Sequence, residues 1–331
     1  MNELLLLGGR QRGSAVAGSE WHYYDKAVAL AVSMDGKSCR QVLEHVTPPH
    51  LCADVEPSIT FKAGTVHDGL RYACTQTELM IYRLADWSVQ EQISLPCFND
   101  VHHVIPTSTG TLLAANTGLD RVVEVSRGGE IINTWPVLDE PLWERFSPEV
   151  DYRKIVTTKP HKSHPNFVYE QDGDYWVVRH LQKDAICLAS PSKRIAIDHG
   201  GPHDGEKHGE HIYFTTVNGA VVVANLETLQ IDRVIDLNVY EQGTRPLGWC
   251  RGLHVLDDDR FIVGFSRLRP TVVKGAVAWM KRQVKSRLGR ENYDSQPTHI
   301  TCYNHRRGEV EWTLDLEPYG MNAIFSVLPL K

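Results

Sequence analysis

Residues Asn99 to Val137 read NDVHHVIPTSTGTLLAANTGLDRVVEVSRGGEIINTWPV. Four short β-rich runs follow one another here: His102–Thr107, Thr111–Thr117, Arg121–Ser126 and Ile131–Val137. They are separated by breaks at Ser108-Thr109-Gly110, Gly118-Leu119-Asp120 and Gly128-Gly129. Strand formers bounded by Gly, Asp and Ser at this spacing predict antiparallel hairpins. One such sheet has two unpaired edges and two apolar faces, so it needs copies of itself packed on either side. That requirement is the logic of a β-propeller blade.

The same template extends outward along the chain. Blade one runs from about Gly64 and blade two is the quoted stretch. Blade three starts near His164, blade four near His203 and blade five near Arg251. ELLLLGG, KAVALAVS and CRQVLEHV supply three strands of a sixth blade, and the C-terminal NAIFSVLPL supplies its innermost strand, so the two termini close the ring. The expectation is an all-β, six-bladed β-propeller forming a single domain over residues 1–331. Two stretches break the period. Leu138–Lys162 reads as an inter-blade loop with a helical turn around Glu140–Phe146. Val272–Glu291 carries Val273, Val277, Met280, Val284 and Leu288 at helical spacing with Lys and Arg between them, which predicts a basic amphipathic helix inserted at about 270–292 in blade five.

Composition narrows the functional class. The 331 residues are 42% hydrophobic and 23% charged with a net charge of −6, which gives no electrostatic footprint for nucleic acid. The expected partner is a small molecule. Four consecutive Leu near the N-terminus, with no basic run before them, are too short for a signal peptide or a membrane span, so a cytoplasmic location is expected. The seven cysteines stand singly with no CxxC, which fits reduced thiols better than a disulfide frame.

In a propeller, the starts of the innermost strands and the ends of the second strands converge beside the central axis. Reading off the strand starts gives His67, His102 or His103, His164, His203, His254 and, in the closing blade, Asn322. Histidine recurs at one repeat position five times. The second-strand ends give Gln76, Asn116, Arg179, Asn218 and Arg267, amide and guanidinium groups suited to an oxygen-rich or anionic ligand. Arg251, three residues before His254, joins them as a substrate-binding candidate, whereas Lys159, His161, Lys162 and Arg245 read as solvated loop charges. Converging imidazoles disfavour one another's protonation. They are kept neutral by sharing a divalent transition metal (iron, manganese, copper or zinc), with Asp68 and Asp204 as outer anchors. Alternatively one histidine acts as nucleophile or base while others bind an anion beside Arg179. No nucleotide cofactor is expected, and the alternative to an enzyme is a non-catalytic interaction propeller, which would display contact residues on its rim and need no histidine at the axis.

The strings NDVHHVIPTSTGTLLAANTGLDRVVEVSRGGEIINTW, SHPNFVYEQDGDYWVVRH and GGPHDGEKHGEHIYFTTVNG together resemble the PAPS-independent arylsulfotransferases and their wider group of six-bladed relatives, over about Asn99 to Asn225. The resemblance implies sulfuryl transfer from an aryl sulfate to a phenol through a sulfohistidine. His102 or His103, His164, Arg179 and His203 would carry that chemistry, with His203 as nucleophile. His67 and His254 lie outside the pattern. They turn the expectation toward a metal-dependent, histidine-ligated enzyme of lyase or oxygenase type, comparable by constellation alone to polysaccharide lyases and four-histidine iron oxygenases.

Overall fold

Each predicted hairpin run folds as a strand in the computed structural model, which describes residues 3–13, 23–240, 245–268 and 295–330. Blade two consists of Val101–Pro106, Leu112–Asn116, Arg121–Val125 and Ile131–Pro136. Its second and third strands are buried along their whole length, while the outermost strand is mostly exposed. The difference follows from position. Inner strands are covered on both faces by neighbouring blades, and an outermost strand meets solvent.

The described residues form six such four-stranded antiparallel sheets. Their innermost strands are Gly64–His67, Val101–Pro106, Pro165–Gln171, Pro202–His208 and Trp249–Val255 in blades one to five, and Ala323–Leu330 in blade six. Blade six mixes the two ends of the chain. Ala323–Leu330 pairs antiparallel with Glu3–Gln11, from Ala323 opposite Gly9 to Leu330 opposite Glu3, and Tyr24–Ser33 and Cys39–His45 complete the sheet.

Six apolar clusters cement the six interfaces. Tyr72 and Ile81 of blade one meet Leu112 and Val123 of blade two, and Leu113 and Val122 meet Val168 and Ile186 of blade three. Trp176 meets Phe214, Val221 meets Phe261 and Phe265, Ile262 and Ile300 meet Leu6 and Ile324, and Leu5 and Ala29 meet Phe61 and Met80 of blade one. The ring is therefore shut by core packing as well as by strand pairing.

The helix expected over Val272–Glu291 lies outside the described residues. The helical turn expected around Glu140–Phe146 is not formed. The loop makes its single turn of 3₁₀ helix at Tyr152–Lys154, where the Asp151 side chain accepts the Arg153 N–H and supplies the cap. No helix among the described residues is long and apolar enough to cross a membrane. All seven cysteines are free.

Candidate metal centre at the propeller axis

Strand geometry decides which side chains reach the axis. Five of the six innermost strands carry a bulge near their start, where one residue has no partner on the second strand. The unpaired residues are His102, Asn166, His203, Gly252 and Phe325. A bulge re-aims its residue out of the ordinary alternation. Here it turns His102, His203 and Phe325 inward, so that the phenyl ring lies 6.3 Å from the His102 ring and 6.2 Å from the His203 ring.

His164 arrives by a different device. It precedes its strand in the left-handed region, at φ 60°, which costs an L-residue roughly 1–2 kcal/mol. Asp120 offsets that strain: its Oδ1 accepts the N–H of Ser163 at 3.0 Å and of His164 at 2.8 Å, and its Oδ2 accepts the N–H of Lys162 at 2.8 Å and Arg145 Nη2 at 2.6 Å. One buried carboxylate thus fixes the whole approach to His164.

The outcome is a cluster in which one ligating atom each of His102, His164 and His203 lie within 4.8 Å of one another, each residue contributed by a different blade. The His102 ring is 4.8 Å from that of His164 and 5.6 Å from that of His203, centre to centre. Burial pushes the His102 imidazole down to about 3 against the pull of Asp100. Burial likewise takes His164 well below its ordinary value, reinforced by His102 and His161, and His203 well below it, reinforced by Arg251 and His102. All three are neutral at physiological pH, the state in which imidazole binds a metal.

The rest of the surroundings fit a ligand role. His102 Nδ1 donates to the Asp100 carbonyl at 2.8 Å, which leaves Nε2 with its lone pair toward the cluster. An imidazole tied to a backbone carbonyl is the usual outer support of a metal ligand. His203 Nδ1 is buried with no hydrogen-bond partner among the described residues, an orphaned atom that calls for an explanation. Two further histidines, His161 and His180, flank the three. His161 Nδ1 is 2.9 Å from His164 Nδ1, and His180 packs its ring 5.3 Å from that of His164 while donating from Nδ1 to the Pro202 carbonyl at 3.2 Å. Gly201 makes room for that ring, since a Cβ there would stand 2.2 Å from His180 Cε1.

The remaining axial positions are not histidines. Lys62 precedes the innermost strand of blade one, pairs with Asp100 at 3.0 Å and places its Nζ 4.6 Å from the centre of the Phe325 ring. Arg251 of blade five sets its guanidinium 4.4 Å from the same ring. Burial alone would raise the Asp100 carboxyl, but Lys62 and then His102 outweigh it and hold the group well below the usual carboxylate range.

Several residues expected here lie elsewhere. His67 ends its strand, opposite Leu70 across the Asp68-Gly69 turn, and is exposed beside Asp68. The tripeptide His-Asp-Gly occurs at 67–69 and at 203–205, once as a hairpin tip and once as a strand start, so spacing alone misplaced it. His254 stands three residues past Arg251 and faces Glu206 at 3.1 Å. His103 stacks on Phe167 and accepts the Val168 N–H, which leaves His102 as the axial member of the pair.

The polar candidates at the second-strand ends are mostly committed to the scaffold. Arg179 grips both oxygens of Asp184 at 2.8 and 2.7 Å and the Val137 carbonyl at 2.8 Å. Arg267 does the same with Glu317 at 2.7 and 2.8 Å. Asn116 bridges the Asn99 N–H and the Cys97 carbonyl, Asn218 packs against Gly200, and Asn322 accepts the Gln11 N–H. Asp204 accepts the Gly205 N–H in a buried setting that pushes its carboxyl up to about 8.

His161, expected as a solvated loop charge, is instead drawn in against His164, and His180 and Lys62 join the site from positions outside the expected set. His180 follows Arg179 by one residue at a second-strand end, a signal legible in the sequence, whereas Lys62 breaks the recurrence of histidine at the innermost-strand starts.

The sequence matches no protein-family model and no curated protein, so the resemblance to arylsulfotransferases gains no support from relatives. Among solved structures, the chain is similar to a protein of unknown function from Bacteroides caccae, at a TM-score of 0.60 and 14% identity over 99% of both chains. At that identity the likeness speaks for the shared six-bladed fold and for nothing about chemistry.

Proposed function

We propose that this protein is an enzyme that holds one divalent transition metal through His102, His164 and His203 and acts there on a small molecule. The observation that carries the reading is the convergence of three neutral imidazoles, from three separate blades, to within 4.8 Å at the axis. Iron, manganese, copper and zinc all accept such a donor set. Three protein ligands leave a coordination position open, which is the mark of a catalytic rather than a structural site. When bound, such an ion supplies a Lewis acid for a substrate oxygen or an activated water. The chain itself supports the ligands: the Asp100 carbonyl orients His102, Asp120 holds the backbone of His164, and Phe325 forms an apolar wall against His102 and His203.

Sulfuryl transfer through His203 draws less support. The resemblance assigns Arg179 to that chemistry, and Arg179 is instead committed to Asp184. Elemental analysis of untagged protein should give about one metal per chain. The content should be lost in His102→Ala and His203→Ala and kept in His67→Ala. Wild-type metal content near zero, together with sulfate transfer from an aryl sulfate by the metal-free protein, would overturn the proposal.

A further inference from the structure

Taken in ring order, the axial residues divide into two arcs. Blades two, three and four supply His102, His164 and His203. Blades five, six and one supply Arg251, Phe325 and Lys62. The apolar ring of Phe325 thus has two cations against it, with Lys62 Nζ at 4.6 Å and the Arg251 guanidinium at 4.4 Å from its centre. The same ring touches His102 and His203, so both cations border the histidine cluster.

We propose that Lys62 and Arg251 are the substrate clamp of this site and that the substrate carries a carboxylate. This rests on the reading of the histidine triad as a metal centre. The ion, the Lys62 ammonium and the Arg251 guanidinium would then border one another, and the Asp100 carboxylate that pairs with Lys62 offsets only part of their positive charge. A group spanning them must be anionic and have at least two oxygens, one for the ion and others for the cations. The planar fork of arginine matches a carboxylate. The Lys62 ammonium adds a point charge whose position is set by its 3.0 Å contact with Asp100. Phe325 supplies no polar atom, so its role is to exclude water and strengthen both charges in a low-dielectric setting. Lys62 and Phe325 are buried, whereas Arg251 and His164 keep partial exposure.

The test is calorimetric titration of oxalate into the full chain, once loaded with one metal equivalent and once stripped by chelation. Arg251→Lys keeps the charge and loses the fork. Lys62→Met removes the inner charge, and a melting curve checks that it folds with Asp100 unpaired. Wild-type, metal-loaded protein should bind oxalate at least tenfold more tightly than either variant, at unchanged metal content. Equal oxalate affinity in the wild type and both folded variants, with the metal in place, would overturn the clamp and leave the metal centre standing. If no metal is held but the stripped protein still binds oxalate through Arg251 and Lys62, the metal reading falls and the clamp survives. Absence of both metal and oxalate binding removes both.

Discussion

Asp120 has no direct contact with a substrate or an ion in the arrangement proposed here, yet it determines where His164 stands. Its two oxygens accept three successive backbone N–H groups, of Lys162, Ser163 and His164, and hold the left-handed turn that aims the imidazole. Asp120→Asn keeps the shape and replaces one acceptor oxygen by a donor, so that either the Lys162 N–H and Arg145 or the Ser163 and His164 N–H groups lose their partner. Removal of outer support of this kind typically lowers metal affinity 10- to 100-fold. The expected result is that loss in competition with a chromophoric chelator, with about one metal still bound at saturation; unchanged affinity would refute the positioning role. Asp120 was invisible to a reading that looked for groups facing the axis, because it acts through backbone amides some forty residues along the chain. The same limitation hid the role of His161, whose value lies in the 2.9 Å contact with His164 rather than in any motif.

At the scale of strands, the alternation and turn chemistry of Asn99–Val137 were enough to place all four strands of blade two, and the same template located the other five blades. What alternation does not encode is the bulge. A single unpaired residue at the start of an innermost strand shifts the register between the two strands, which is how His102 comes inward while His103 turns to Phe167. A register displaced by a few residues likewise exchanges Arg251 for His254 and Lys62 for His67. The second-strand ends show a related effect. Arg179 and Arg267 are where the repeat puts them, but each meets a carboxylate from its own or an adjacent segment and is absorbed into the sheet. Arg179→Ala should therefore act on stability. It strips the nearly inaccessible Asp184 of its bidentate partner, which costs about 3 kcal/mol. Denaturant unfolding should show that loss while metal content stays unchanged; an undiminished midpoint with weakened ligand binding would return Arg179 to the site.

For the molecule as a whole, the site exists only while the ring is closed, because the triad and the cationic arc come from blades that meet across the axis. Closure depends on one seam. Ala323–Leu330 is the innermost strand of blade six, it contributes Phe325 to the axis, and it covers the edge of Glu3–Gln11, in which Leu4 to Leu7 are fully buried. Deleting residues 321 to 331 exposes that edge and one face of the Leu6–Ile324 cluster, and unpaired hydrophobic edges aggregate. The truncated chain should be insoluble. A circular permutant provides the complementary experiment. Leu330 lies directly opposite Glu3 in the antiparallel pair, so joining residue 331 to residue 1 makes a hairpin of the seam, and new termini can open between Gly320 and Met321. If strand pairing is what closes the ring, this permutant should be soluble, melt cooperatively and keep its metal, since every contact of the closing strand survives the change in connectivity. A soluble, cooperatively unfolding truncation would show that the blade interfaces hold the ring without the seam.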